Sequence, residues 1–249
     1  MNYMGSKRRI AKHILPIILS NRKPGQTWVE PFVGGGNMID KVDGPRIGAD
    51  ANKCTIQALM SIRDHLDELP RNNTEFTEED YNKLKTSDDY KHKGYAGFAF
   101  SFGAKWMGGL RRDTVKKRDY VSEAYDNSKE QSPKLQCVNL ICSPYDKLDI
   151  PPNSLIYCDP PYADTTTYKT GQFDHEAFWQ WCRDKTNEGH TVFISEYQAP
   201  SDFKSIWHTS IVSSLTADTG AKRGTEHLFV HESQKVFRTP LEAAMGVYW

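Results

Sequence analysis

The sequence predicts an α/β fold whose two halves are separated by an inserted segment of a different kind. The first half contains a strand, a glycine-rich turn, a second strand ending in an acid, and a helix, all before residue 63. That order is typical of a nucleotide-binding α/β fold. The strand and helix signals then weaken, and they resume after residue 133. A chain of 249 residues suffices for one large domain or for a core with one insertion.

The predicted elements of the first half follow from the spacing of apolar residues. Pro16 lies where it would kink the first helix. The turn E-P-F-V-G-G-G at residues 30–36 follows the first strand, and the second strand ends at Asp50. The elements are a helix over 7–19, strands over 27–29 and 46–49, and a helix through Ile56, Leu59, Met60 and Ile62.

This glycine turn and the acid after it indicate a cofactor that contains adenosine. Glycines allow a ligand to approach the backbone closely, and an acid at the end of the next strand suits ribose hydroxyls. The turn lacks the full G-x-G-x-x-G pattern, so it matches an NAD fingerprint poorly. A glycine turn alone would be weak evidence, but Asp50 strengthens it.

The inserted segment, residues 63–133, is polar and contains scattered aromatic residues. A helix is predicted to begin near Thr77, and Gly108-Gly109 predicts a two-residue β-hairpin within residues 106–111. The net charge of the chain is zero, with 32 basic and 32 acidic residues, yet basic residues cluster. Such clusters suit a polyanion held on one face, although chance clustering on a solvated surface is the alternative. The clusters are Lys7, Arg8, Arg9, Lys12, Arg22 and Lys23, and Lys105, Arg111, Arg112, Lys116, Lys117 and Arg118.

The second half returns to strands and helices. Asp174 is a predicted N-cap for a helix that places Phe178, Trp181 and Cys182 on one face. The predicted strands cover 135–141, 154–158, 191–195 and 226–231. The strand over 154–158 runs directly into D-P-P-Y at residues 159–162.

The D-P-P-Y sequence has a chemistry of its own at the end of a buried strand, where open parallel sheets bind ligands. Two prolines remove N–H donors and leave carbonyl groups to face a cleft. The Asp159 carboxylate and a carbonyl would accept hydrogen bonds from an exocyclic amine, and Tyr162 would stack on its flat base. Taken alone, such a tetrad is more often a proline-rich turn.

These motifs together resemble the Dam-type, adenine-specific DNA methyltransferases, especially those of bacteriophages. The matching segments, in the family's order, are Y-M-G-S-K-R from Tyr3, V-E-P-F-V-G-G-G-N from Val29, G-A-D-A-N from Gly48 and Y-C-D-P-P-Y from Tyr157. The resemblance implies a Rossmann-like, S-adenosylmethionine-dependent core with an antiparallel seventh strand. It places a mainly helical DNA target recognition domain with a β-hairpin at 63–133, between core segments 1–62 and 134–249.

The resemblance also implies roles for individual residues, by matching motif positions. Asp159, Pro160 and Tyr162 would be catalytic. One segment departs from the family pattern: residues 142–146 read C-S-P-Y-D where an acid usually lies near the cofactor's adenine, so Tyr145 is left to cover that ring. The implied cofactor-binding residues are Tyr3, Lys7, Phe32, Gly34, Asp50, Tyr145 and Asp159.

For the inserted segment, the resemblance implies recognition of double-stranded DNA. Arg111 or Arg112 would read a guanine, while Lys105, Lys116 and Lys117 would contact phosphates. The target adenine would be flipped out of the duplex onto Tyr162. GATC is the target that the family suggests, and roles in restriction–modification or regulation both remain open.

Composition limits the classes of protein that remain. The chain is 38% hydrophobic and 26% charged, with a mean hydropathy of −0.67, and no run approaches the ~18 apolar residues of a membrane span. Five cysteines without C-x-x-C spacing favour a reducing compartment and argue against zinc. We expect a monomer or transient dimer on DNA, without membrane, metal or obligate protein partner, in the cytoplasm of a bacterium or phage-infected cell.

Two other functions remain at this point. A related enzyme could methylate the amino group of cytosine, but Asp159 as first member of the tetrad and the N-terminal block both favour adenine. A DNA-binding protein that has lost catalysis is the second alternative, and the altered segment 142–146 keeps it open.

Overall fold

The computed structural model describes residues 1–88, 90–113, 115, 118–162, 173–213 and 222–248. The strands are β1 (Trp28–Glu30), β2 (Arg46–Asp50), β3 (Val138–Cys142), β4 (Leu155–Cys158), β5 (Thr191–Glu196), β6 (Phe203–Ser213) and β7 (Lys222–His231). The α-helices are α1 (Ala11–Ser20), α2 (Lys53–Asp64), α3 (Glu78–Thr86), α4 (Tyr90–Ala99), α5 (Tyr120–Leu135), α6 (His175–Asn187) and α7 (Pro240–Met245).

The described strands form one seven-stranded sheet in the order β3-β2-β1-β4-β5-β7-β6. The pairs β2–β3, β1–β4 and β4–β5 are parallel, whereas β7 runs antiparallel to both β5 and β6. A strand in the middle of such a sheet is covered on both faces, which suits a continuous apolar segment. Accordingly, all four residues of β4 are buried. The mixed sheet with an antiparallel β7 confirms the predicted Rossmann-like α/β class.

The chain divides into two compact units. The first comprises residues 1–9 and 33–145. In it, β2 and β3 pair in register from Arg46 and Val138 onward, and α2 packs against α4 and α5. Gly94 permits the close approach of α2 and α4, because a Cβ at that position would lie 2.4 Å from the Cys54 carbonyl oxygen.

The second unit comprises residues 10–32 and 146–249. It holds β1, β4, β5, β6 and β7, with α6 packed on β5 and β7 and with α1 against α7. The predicted N-cap is present, since the Asp174 carboxylate accepts a hydrogen bond from the Ala177 N–H at 2.9 Å. The predicted recognition segment 63–133 lies within the first unit, and the predicted division into core and recognition domain stays a prediction.

The inserted segment is mainly helical where the structure describes it. The helix expected near Thr77 is α3, and its capping box joins Thr77 to Asp80. The expected hairpin takes the form of a longer loop: Ser101 and Leu110 form an antiparallel bridge, and residues 102–109 lie between them. The loop is longer than a two-residue turn because Trp106 packs against Gly97 of α4, where a Cβ would lie 2.4 Å from the indole.

Within the described part of the chain, none of the helices combines the length and the apolar character that a membrane crossing needs.

Candidate active site

In the first unit, the N-terminal turn lies against the glycine turn. The backbone of Gly34 has φ +48°, and a Cβ there would lie 3.0 Å from the Tyr3 ring. A Cβ at Gly35 would lie 2.6 Å from the Tyr3 Cβ. Lys7 is buried in the short 3₁₀ helix Lys7–Arg9 that follows. The structure therefore brings Tyr3 and Gly34 together and requires glycine at the turn.

Asp50 ties the same turn to the end of β2. Its carboxylate oxygens accept hydrogen bonds from the backbone N–H groups of Gly34 (3.2 Å) and Asn52 (2.8 Å). Burial raises the pKa of Asp50 to about 6, although these two hydrogen bonds act in the opposite direction. A carboxylate oxygen has more than one acceptor position, so Asp50 can still accept from ribose hydroxyls.

Gln131 of α5 supports the glycine turn from the other side, a contact that the sequence did not predict. Its side-chain amide donates to the carbonyl oxygens of Gly35 (3.0 Å) and Gly36 (3.2 Å) and to the Asp40 carboxylate (3.1 Å). The sequence carries no signal for this contact, because Gln131 belongs to a polar helix far along the chain.

Tyr145 follows β3 in the first unit. The Ser143 N–H donates to the Asp50 carbonyl oxygen at 3.1 Å, which joins the segment after β3 to the end of β2. Tyr145 is half-buried at the start of the 3₁₀ helix Tyr145–Lys147, whereas Asp146 is exposed. The segment that departs from the family pattern therefore starts beside Asp50, and the role of Tyr145 stays a prediction.

Phe32 belongs to the second unit, and its ring contacts the rings of Phe173 and Phe178 at centroid distances of 5.8 Å and 5.7 Å. These contacts fix the ring beside the start of α6. Its predicted contact with the cofactor stays a prediction.

The D-P-P-Y sequence directly follows β4 in the second unit. Pro160 is buried, and Asp159 and Tyr162 are half-buried. The Tyr162 hydroxyl donates a hydrogen bond to the carboxylate of Glu226, and its ring meets the ring of Tyr197 edge-on at 4.6 Å. Burial, followed by the charges of Asp159 and Glu226, raises the pKa of Tyr162 well above its usual value, so Tyr162 is neutral.

A second buried tyrosine lies next to the same acids. The Tyr157 hydroxyl and the Ser195 hydroxyl are 2.8 Å apart, and both residues are buried. Burial, then the charges of Asp159, Glu226 and Glu30, raises the pKa of Tyr157 well above its usual value. Residues of β4, β5 and β7 thus place hydroxyl groups and an acid near the D-P-P-Y sequence.

A family model matches most of the chain. Residues 3–219 match the model of the D12 class N6 adenine-specific DNA methyltransferases. The chain belongs to this family. The predicted family is confirmed, and the predicted enzyme class and the predicted cofactor, S-adenosylmethionine, are those of the family.

Among solved structures, the chain is similar to SMU.472, which was crystallised in complex with SAH. The identity is 14% and the TM-score 0.34, over 92% of this chain and 54% of the other, so this chain spans about half the length of that one. The family assignment rests on the match over residues 3–219. No curated protein matches the sequence at a significant level.

The basic residues predicted for DNA binding differ in their surroundings. The Arg111 guanidinium stacks on the Tyr120 ring at 3.8 Å, whereas Arg112 forms an ion pair with Glu78. Lys105 is exposed on the loop. Lys116 and Lys117 lie outside the described residues.

Glu226 is the site residue that the sequence reasoning missed most clearly. Glu226, Leu228 and Val230 occupy every second position along β7, and all three are buried. Side chains two positions apart point to the same face of a strand. An acid in register with apolar, inward-facing positions was the signal available in the sequence.

Proposed function

We propose that the protein transfers a methyl group from S-adenosylmethionine to the exocyclic amino group of adenine in a short duplex DNA site, with GATC as the expected target. The observation that carries this proposal is the D-P-P-Y sequence directly after buried β4, in a member of an adenine-specific family. Asp159 and the backbone carbonyl of Pro160 would supply acceptors, and Tyr162 a neutral ring.

The acceptors would act on an amine whose lone pair is delocalised into the purine. Hydrogen bonds from both amine protons to Asp159 and to a proline carbonyl draw the nitrogen toward tetrahedral geometry and free that lone pair. Each hydrogen bond to the charged carboxylate contributes about 1.5–3 kcal/mol. Direct transfer needs no covalent enzyme intermediate, and the proton leaves afterwards to Asp159 or to solvent.

The residues of the first unit fit an adenosine-containing cofactor. Gly34 and Gly35 carry no side chain where Tyr3 packs against the turn, and Asp50 retains acceptor positions for ribose hydroxyls. We assign Tyr3, Lys7 and Gly34 to the cofactor's methionine end, Asp50 to its ribose and Tyr145 to its adenine, with Phe32 and Asp159 as further contacts. When bound, the cofactor supplies an electrophilic methyl group.

We assign DNA recognition to residues 63–133. Arg111 is better suited than Arg112 to read a guanine, because stacking on Tyr120 orients its planar donors while Arg112 is paired with Glu78. Lys105, Lys116 and Lys117 would contact phosphates. The target adenine would leave the duplex, and stacking on Tyr162 would offset part of the few kcal/mol that unstacking costs.

A methylation assay with labelled S-adenosylmethionine and duplex DNA tests the function. The expected product is N6-methyladenine after digestion to nucleosides, and sequencing of the modified DNA should locate it at GATC. Label in N4-methylcytosine would replace the proposal with cytosine methylation. Binding of DNA and cofactor without any labelled product would identify a DNA-binding protein that has lost catalysis.

A further inference from the structure

Glu226 occupies a position on β7 where an apolar side chain would be the ordinary choice. It is 1% exposed and lies on the same strand as buried Leu228 and Val230. Acids are almost never buried to this extent unless they are hydrogen-bonded or paired. The Tyr162 hydroxyl donates to one of its carboxylate oxygens. A hydrogen bond to a charged acceptor is roughly twice as strong as a neutral one, so this contact constrains Tyr162 strongly.

Tyr197 constrains the same ring at a different place. Its ring meets the Tyr162 ring edge-on at a centroid distance of 4.6 Å. Tyr197 itself is fixed, because its backbone N–H donates to Glu196 at 3.0 Å and its ring lies against Gly224, where a Cβ would be 3.4 Å away. Tyr162 is therefore held at its hydroxyl by Glu226 and along its ring by Tyr197.

We propose that Glu226 is a positioning residue for adenine methylation, because it fixes the ring of Tyr162 in the orientation that receives the target base. This inference rests on the proposed function, and in it Glu226 influences the reaction through Tyr162. A ring fixed before the base arrives loses less rotational freedom when the base stacks on it. Glu226 should therefore affect the rate of methyl transfer and leave cofactor affinity unchanged. The negative charge of Glu226 also raises the pKa of Tyr162, which keeps the donating hydroxyl protonated.

The experiment compares the variants Glu226→Ala, Glu226→Gln, Tyr162→Phe and Glu226→Ala/Tyr162→Phe by steady-state kinetics on duplex DNA. We expect Glu226→Ala and Tyr162→Phe each to lower kcat about tenfold, since each removes the same hydrogen bond to a charged group. The double variant should lose about the same factor, because the interaction is already absent in each single variant. Glu226→Gln keeps an acceptor oxygen, so it should stay within about threefold of wild type.

Two further measurements separate positioning from a general loss of structure. The affinity for SAH should remain within about twofold of wild type in every variant, because Glu226 does not act on the cofactor. Glu232→Ala is the matched control: it removes an exposed carboxylate just beyond β7 that pairs with Lys204 at 3.2 Å, and its kcat should equal that of wild type.

The possible outcomes have distinct meanings. A kcat for Glu226→Ala within twofold of wild type overturns the inference, as do losses that multiply in the double variant. A parallel loss of SAH affinity and thermal stability in Glu226→Ala and Glu226→Gln also overturns it, since that result indicates a purely structural role. A wild-type protein that does not methylate adenine overturns the proposed function, and with it this inference.

Discussion

At the scale of single residues, two acids at strand ends acquire different properties from their surroundings. Asp50 accepts two backbone hydrogen bonds, and burial raises its pKa to about 6. Asp159 is half-buried, and its charge contributes to the raised pKa of both Tyr157 and Tyr162. The first acid thus organises a backbone turn, and the second lies among hydroxyl groups that stay protonated.

Asp159→Ala should abolish methyl transfer while DNA binding largely survives, because the variant removes an acceptor and leaves the buried β4 intact. Labelled methyl transfer and DNA affinity measure the two effects. Asp174→Ala is the control, since it removes the exposed cap of α6 and should cost about 1 kcal/mol of stability without affecting turnover. Turnover of Asp159→Ala within about tenfold of wild type would exclude the proposed role.

The raised pKa of Asp50 predicts a pH-dependent affinity for the cofactor. Lowering the pH through about 6 protonates the carboxylate and removes the charge that ribose hydroxyls would contact. If the ionised form binds, the Kd for SAH should rise about tenfold between pH 7 and pH 5. Calorimetry at several pH values measures this, and Asp50→Asn should remove the dependence. A Kd that stays constant over that range in wild type contradicts the assignment.

At the scale of elements, the sequence predicted the strands and helices whose own residues carry strong local signals. Strands β1, β2, β4 and β5 have short apolar segments bounded by turn residues, and α3 has a capping box. The polar helix α5 was missed, because its sequence contains few apolar residues and Pro133. Strand β6 was missed as well, because its polar and apolar residues follow no strict alternation and its register shifts between Ser205 and Trp207.

In the candidate site, too, the sequence predicted only what local patterns encode. Tyr3, Gly34, Asp50, Asp159 and Tyr162 could be singled out because they belong to short, contiguous motifs. Contacts between distant segments could not be predicted, since they depend on packing that no local pattern encodes. Those contacts include Gln131 with Gly35 and Glu226 with Tyr162.

The segment proposed for DNA recognition, residues 63–133, predicts different roles for its two neighbouring arginines. Arg111→Ala should cost about 1–3 kcal/mol of DNA affinity and relax specificity at one base pair, because Arg111 is oriented by Tyr120. Arg112→Ala removes an exposed ion pair with Glu78 and should alter stability by less than about 1 kcal/mol. Binding to sites with single base substitutions distinguishes them. Relaxed specificity in Arg112→Ala alone would reverse the assignment.

At the scale of the whole molecule, a net charge of zero conceals an uneven distribution. The chain has as many acidic as basic residues, yet residues 105–118 contain six basic residues and one acid. Arg112 and Arg118 form ion pairs with Glu78 and Glu123, so their charges are partly compensated within the protein. In the proposed complex with DNA, binding would therefore depend on this local excess of charge rather than on the net charge.

The salt dependence of DNA affinity should report this local excess. Each lysine that neutralises a phosphate releases counterions, and the negative slope of log K against log salt concentration becomes steeper by about 0.9 for each such contact. Alanine at Lys105, Lys116 or Lys117 should therefore weaken binding to all sequences alike and reduce the slope by about 1. Lys204→Ala removes an equal charge outside the segment, where Lys204 pairs with Glu232, and should leave the slope unchanged. Equal reductions in all four variants would mean that DNA senses the charge of the whole protein rather than residues 63–133.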